Sequence, residues 1–267
     1  MRRITAAVAA GLMTFAGLVA AGAPAQAATP TAEYVALGDS YASGVGAGSY
    51  DPGSGDCKRS TKNYPHLWAA ANPEYTLKDV TCSGATIADV RAEQLSALSA
   101  STNLVTLTVG GNDTQFSTVV RTCLTDTESA CALATGWMSA VARNQLVGEL
   151  SGLYKDIKAR SPKALILVFG YPQTLSTTGA CSPIELSAKK RADMNGLADA
   201  LAEGTAKAAV DAGVYFVDMR KPFAGHGACG TDPWVHGVNT SDMTATFHPN
   251  AAGHEKGYAA KFISTWG

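Results

Sequence analysis

The chain has 267 residues, with 21 Lys and Arg balanced by 22 Asp and Glu, for a formal net charge of −1. A balance so near neutral, with no basic cluster, excludes a protein that holds nucleic acid by its phosphates. The length fits one generous domain rather than two.

Arg2 and Arg3 start the chain, Ala6 to Ala21 carry no charge, and Ala25-Gln26-Ala27 has the small-x-small pattern of a signal-peptidase site. These three parts predict a secretory signal over residues 1–27, cleaved after Ala27. The apolar core is short of the roughly 20 residues a membrane span needs. Cleavage removes two arginines and no acid, leaving a domain over 28–267 with formal charge −3. The expected product is soluble, extracellular and without a membrane span.

The first predicted strand, Tyr34–Leu37, runs into Gly38-Asp39-Ser40 and then a glycine-rich stretch. A loop follows over 45–63, then a weaker strand at Thr76–Val80 ending at Cys82-Ser83-Gly84-Ala85-Thr86. A helix is predicted over Thr86–Leu98. The strand Leu104–Val109 then leads into Gly110-Gly111-Asn112-Asp113, and a Cys- and Ser-containing loop is predicted over 121–136. Leu146, Leu150, Leu153 and Ile157 mark one face of a helix that Pro162 closes. After the strand Ala164–Phe169, Ser187 caps a long helix to about Asp211, with Gly213 just beyond. The strand Val214–Asp218, a loop over 221–244, His248-Pro249-Asn250 and a helix over Ala251–Ile263 complete the chain. Strands alternating with helices predict an α/β domain: a parallel sheet with helices on both faces.

In such a fold ligands bind beyond the carboxyl ends of the strands, where Gly38-Asp39-Ser40 falls. A phosphate loop is excluded, because no Lys lies between Tyr34 and Lys58 and Ser49 takes the last place of Gly-x-Gly-x-x-Gly. The elbow Gly-x-Ser-x-Gly fails too, because Ala42 takes its final place. A lone Gly-Asp-Ser most often only caps a helix. Three further motifs change that weighting, since each lies at a strand end or a helix start. Acyl transfer needs a nucleophile, a base and donors aimed at the developing oxyanion. Ser40, His248, the backbone N–H of Gly84 and the side-chain amide of Asn112 supply them.

Six cysteines in an exported chain predict three disulfides. Sequence order suggests Cys57–Cys82, Cys123–Cys131 and Cys181–Cys229, among 15 formally possible connectivities. The rival reading, a metal site, finds no Cys-x-x-Cys or His-Glu-x-x-His, so neither metal nor cofactor is expected. Asp39 and Asp113 are read as acids that fix their loops through backbone N–H groups. His66, His226, His236 and His254 are assigned to loops or packing, with His226 and His236 in a loop that is a candidate rim of the site. Trp234, Tyr171 and Phe223 are candidates to line an acyl pocket, but aromatics beside strand ends are more often plain packing.

The four motifs, in this order, resemble those of the SGNH hydrolases, also called GDSL esterases and lipases. The likeness runs from about Tyr34 to the C-terminus. With its Gly-Asp-Ser-Tyr and six cysteines, the chain is most similar to the secreted bacterial lipase branch. The resemblance implies a flavodoxin-like three-layer α/β/α fold. It implies Ser40 as nucleophile, His248 as base, and an oxyanion hole from the N–H groups of Ser40 and Gly84 with Asn112. The family's usual Asp three residues before the histidine is replaced by Ala245. A main-chain carbonyl, of Ala245 or Thr246, is therefore expected to orient His248, with Asp242, Asp232 and Asp218 as rival acids.

The expected activity is that of a secreted, monomeric lipase or carboxylesterase acting on lipid esters, with a lipid–water interface as a further setting. Phospholipase, polysaccharide acetyl esterase and non-catalytic binding protein are the alternatives.

Overall fold

The computed structural model describes residues 32–266. The predicted signal segment, 1–27, lies outside them. In chain order the elements are β1 (Ala32–Gly38), α1 (Ser40–Ser43), α2 (Tyr64–Ala71), β2 (Tyr75–Asp79), α3 (Ile87–Asp89), β3 (Thr102–Thr108), α4 (Phe116–Thr125), α5 (Glu128–Arg143), α6 (Gln145–Arg160), β4 (Leu165–Phe169), α7 (Ala188–Ala212), β5 (Tyr215–Val217) and α8 (Ala260–Trp266).

All four strand pairings are parallel and the sheet order is β2-β1-β3-β4-β5. That is the flavodoxin-like order, and it reverses direction between β1 and β3, opening a crevice at their carboxyl ends. The register places Gly38 beside Thr108 at that point. A Cβ on Gly38 would lie 2.3 Å from the Thr108 carbonyl oxygen, and its φ is +127°, so only glycine lets the strands close up here.

The strands between two neighbours are mostly apolar, because both their faces are covered, with buried Thr106 as the polar exception inside β3. Tyr34–Leu37 and Leu104, Val105 and Leu107 are buried, as are Ile166–Phe169. The edge strand β2 mixes half-buried and exposed positions, so its sequence signal is faint. Helices α5, α6 and α7 pack against one another on one face. On the other, α2 and α8 bring Trp68 and Phe262 into a stack at 4.5 Å, with Tyr34 edge-on to both.

Two expectations need correction. Residues 121–136 are not a loop but the end of α4 and the first half of α5, tied together by Cys123–Cys131. The buried face of α5 carries Cys131, Thr135, Ser139 and Ala142, side chains too small and polar to show helical hydrophobic periodicity. Its start is fixed by Thr127, whose hydroxyl accepts from the Ala130 N–H. Second, 86–98 is helical but not one α-helix. A Thr86–Asp89 capping box opens α3, which widens into a π-turn at Val90–Gln94 and tightens to 3-10 at Leu95–Ala97. The widening has a use: buried Gln94 accepts from the Gly38 N–H (2.7 Å) and donates to the Gly38 carbonyl (3.0 Å). The three disulfides join Cys57 to Cys82, Cys123 to Cys131 and Cys181 to Cys229.

Candidate active site

Asp39 ends the turn after β1 and caps α1, so Ser40 becomes the first helical residue. One Asp39 carboxylate oxygen accepts from the Tyr41 N–H at 2.9 Å and the other from the Tyr171 hydroxyl. Burial pushes the Asp39 carboxyl up to about 7, while the Tyr171 and Tyr41 hydrogen bonds pull it back. Tyr171 in turn accepts from the Gly111 N–H at 2.9 Å, linking the serine turn to the loop that carries Asn112. Asp39 is therefore a brace, and it neither hydrogen-bonds nor ion-pairs with His248.

His248 Nε2 lies 2.7 Å from Ser40 Oγ, and its Nδ1 lies 3.2 Å from the Thr246 carbonyl oxygen. A neutral imidazole with its proton on Nδ1 satisfies both contacts, leaving the Nε2 lone pair to accept from the serine. Burial holds His248 down to about 4, opposed by its hydrogen bond to Thr246 and reinforced by His236 nearby. It is thus neutral near pH 7. The Ala245 carbonyl, the other oxygen expected in this role, instead accepts the backbone N–H of His248 at 3.0 Å.

The rival acids are engaged elsewhere. Asp218 is bound by Arg220 at 2.6 Å, Asp242 accepts from the Thr244 hydroxyl at 2.5 Å, and Asp232 sits 3.3 Å from His226.

Three candidate donors line the cleft that holds the serine. Among the described residues, neither the Ser40 N–H nor the Gly84 N–H has a protein acceptor. Gly84 adopts φ +84° on the loop that Cys57–Cys82 anchors. Asn112 donates one amide hydrogen to the Ala85 carbonyl at 3.0 Å, keeping the second free and tying its loop to that of Gly84. Asp113 accepts from the Ile87 N–H at 3.2 Å and fixes the same junction. Ser40, Gly84, Asn112 and His248 line one cleft of about 440 Å³, walled on its far side by α4.

His226 and His236 stay outside this cleft, as do Trp234 and Phe223; Tyr171 lines it. His236 Nε2 donates to the Gly46 carbonyl oxygen at 2.8 Å, supporting the loop behind the serine. His66 sits beside Asn63 and Asp79, and His254 is buried against Tyr64 and Tyr258. Among the described residues no group of three His, Cys, Asp or Glu side chains is placed to hold a metal ion.

Residues 36–256 match the model of the GDSL-like Lipase/Acylhydrolase family. The chain is 43% identical over 256 residues to a lipase of Streptomyces rimosus, covering 95% of each. The chain belongs to the GDSL-like lipase/acylhydrolase family. The crystal structure of the extracellular S. rimosus lipase superposes with a TM-score of 0.84 at 44% identity, covering 87% of this chain and 99% of that one. A phospholipase A1 from Streptomyces albidoflavus gives 0.83 at 42% identity, covering 87% and 98%. GDSL-family membership makes the chain a carboxylic ester hydrolase.

Sequence reasoning missed the braces of this GDSL site. Gln94, Tyr171 and Tyr41 act through long-range contacts that no local pattern records. The sequence marks Tyr41 only as the last residue of Gly-Asp-Ser-Tyr and Tyr171 only as an aromatic beside a strand end, and it does not mark Gln94.

Proposed function

We propose that the protein is an exported lipase or carboxylesterase that cleaves lipid esters through an acyl-enzyme on Ser40. The observation that carries this reading is the 2.7 Å contact between Ser40 Oγ and His248 Nε2 in a cleft with an apolar wall.

His248 takes the serine proton as Oγ attacks the ester carbonyl. The negative oxygen of the tetrahedral intermediate is received by the N–H groups of Ser40 and Gly84 and by the Asn112 amide. Such donors are fixed before the reaction, so no reorganisation is needed when charge develops. The imidazolium returns its proton to the leaving alcohol, and water activated by the same histidine releases the acid. No step calls for a metal or cofactor. The wall of Phe116, Val120, Leu124, Ile184 and Met243 fits an acyl chain rather than an acetyl group, which disfavours a polysaccharide deacetylase. The similarity to an extracellular lipase, the three disulfides and the signal-like residues 1–27 support export of the domain spanning 28–267. No helix among the described residues is long and apolar enough to cross a membrane.

A serine-directed organophosphonate tests the assignment. A single adduct on the Ser40 peptide is expected, with Ser40→Ala inert towards p-nitrophenyl esters. Labelling elsewhere with an active Ser40→Ala variant would refute it.

A further inference from the structure

We propose that Arg121 forms a phosphodiester subsite at the mouth of this cleft, which makes glycerophospholipids the favoured ester substrates; the inference rests on the acyl-enzyme reading above. Helix α4 presents two parallel ridges to the cleft. Phe116, Val120 and Leu124, four residues apart, form an apolar ridge, and Ser117, Arg121 and Thr125 form a polar one beside it. A lipid lying along α4 thus meets an apolar track and a polar track together.

Arg121 is the sole Lys or Arg among the residues lining the cleft. Its guanidinium has no carboxylate within 4.0 Å and donates no hydrogen bond among the described residues, whereas Arg91, Arg143, Arg191 and Arg220 are paired with carboxylates. Arg160, at the end of α6, is also without a partner among the described residues but lies outside the cleft. The Ser117 hydroxyl, one turn nearer the start of the helix, likewise has no partner there. Position adds direction. Helix α4 begins just after Asn112, and Arg121 lies five residues in, roughly 7–8 Å along the axis. Helical side chains tilt towards the N-terminus, so the guanidinium reaches back towards the oxyanion end of the cleft.

A glycerophospholipid carries its phosphodiester one glycerol unit from the sn-1 ester carbonyl. With that carbonyl at Ser40, the anion falls towards the polar ridge and the acyl chain along the apolar one. Guanidinium matches phosphate with paired, charge-assisted hydrogen bonds. A triglyceride offers it nothing, and a third acyl chain must then lie against a hydrated cation.

The test compares kcat/KM on dioctanoylphosphatidylcholine and dioctanoylglycerol in micelles of one neutral detergent, for wild type, Arg121→Gln and Arg121→Lys. The phospholipid-to-diglyceride ratio should fall about tenfold or more in Arg121→Gln, chiefly through KM, and recover in part in Arg121→Lys. Rising salt should erode the wild-type ratio and leave that of Arg121→Gln flat. An unchanged ratio in Arg121→Gln would overturn the subsite, whatever the absolute rates. Turnover of both lipids by Ser40→Ala would instead overturn the acyl-enzyme reading on which it rests.

Discussion

The hydroxyl of Tyr41 donates to the main-chain carbonyl of Phe247 at 2.7 Å. The residue after the proposed nucleophile thereby holds the residue before the proposed base, across 206 positions of sequence. Phe247 has φ +60°, a costly conformation for a non-glycine residue, and it persists because its neighbours over-determine it. Its N–H donates to the His236 carbonyl at 3.1 Å, and His236 donates its own N–H to the His248 carbonyl at 2.9 Å. The Tyr41 ring also packs at 4.9 Å from Tyr171 and 5.0 Å from His248.

Tyr41→Phe keeps those ring contacts and removes the one donor, leaving a buried carbonyl unpaired. A loss of about 1–3 kcal/mol in urea unfolding is expected. Because the bond sets the place of His248 rather than binding lipid, kcat should fall with KM nearly unchanged. A fall in KM-dependent terms alone would contradict the positioning role.

Asn112→Ala removes a donor from the oxyanion cluster. Loss of one such donor costs about 10²–10³ in kcat. Steady-state kinetics on a soluble ester should show that drop with little change in KM. The Ala85 tie is lost too, so the same preparation should be checked for native near-UV circular dichroism.

The pH dependence of activity follows from His248. Its imidazole must be neutral to take the serine proton, and burial lowers it from the ordinary histidine value to about 4. The kcat/KM profile should therefore be flat from pH 8 down to about pH 5 and lose activity below it. A profile that bends near the unperturbed value of about 6.5 would contradict the buried, neutral base.

His254 is a stability switch of the same chemistry. It is fully buried, neither ring nitrogen has a partner among the described residues, and burial holds it down to about 3. Below about pH 6.5 the unfolded chain takes up a proton at this position and the folded chain does not. Stability is therefore present in full above that pH and falls as pH drops towards 3. His254→Phe removes the titration while keeping a ring against Tyr64 and Tyr258. The variant should gain about 2 kcal/mol on wild type between pH 7 and pH 5, read by urea unfolding at both.

What the sequence made legible was whatever is written locally. Strands buried on both faces show as largely apolar runs, and Ser40, Gly84, Asn112 and His248 stand out because glycine and polar residues cluster where strands end. The half-exposed β2 was faint for the converse reason. Helix α5 was hidden, since its inner face is built from Cys131, Thr135, Ser139 and Ala142 rather than large apolar residues. The braces Gln94, Tyr41 and Tyr171 were hidden because their contacts span 56, 206 and 132 positions.

The group that orients His248 decides whether the site is a dyad or a triad. Its Nδ1 faces the Thr246 carbonyl at 3.2 Å, an oxygen that can fix the tautomer but brings only a partial charge to the imidazolium. None of the acids near it in sequence reaches the ring. Asp218 is held below the usual carboxylate range by Arg220, and Asp242 by its bond from Thr244, with Lys58 3.9 Å away. Asp242 still acts on His248 through space, raising it slightly. Its neutralisation should therefore leave the base neutral and competent at pH 7. Removing a true triad acid costs on the order of 10⁴ in kcat. Asp218→Asn, Asp232→Asn and Asp242→Asn should each cost less than about tenfold in kcat at pH 7. A loss of several thousandfold at any one of them, with the fold intact by circular dichroism, would replace the Thr246 carbonyl with a carboxylate and the dyad with a triad.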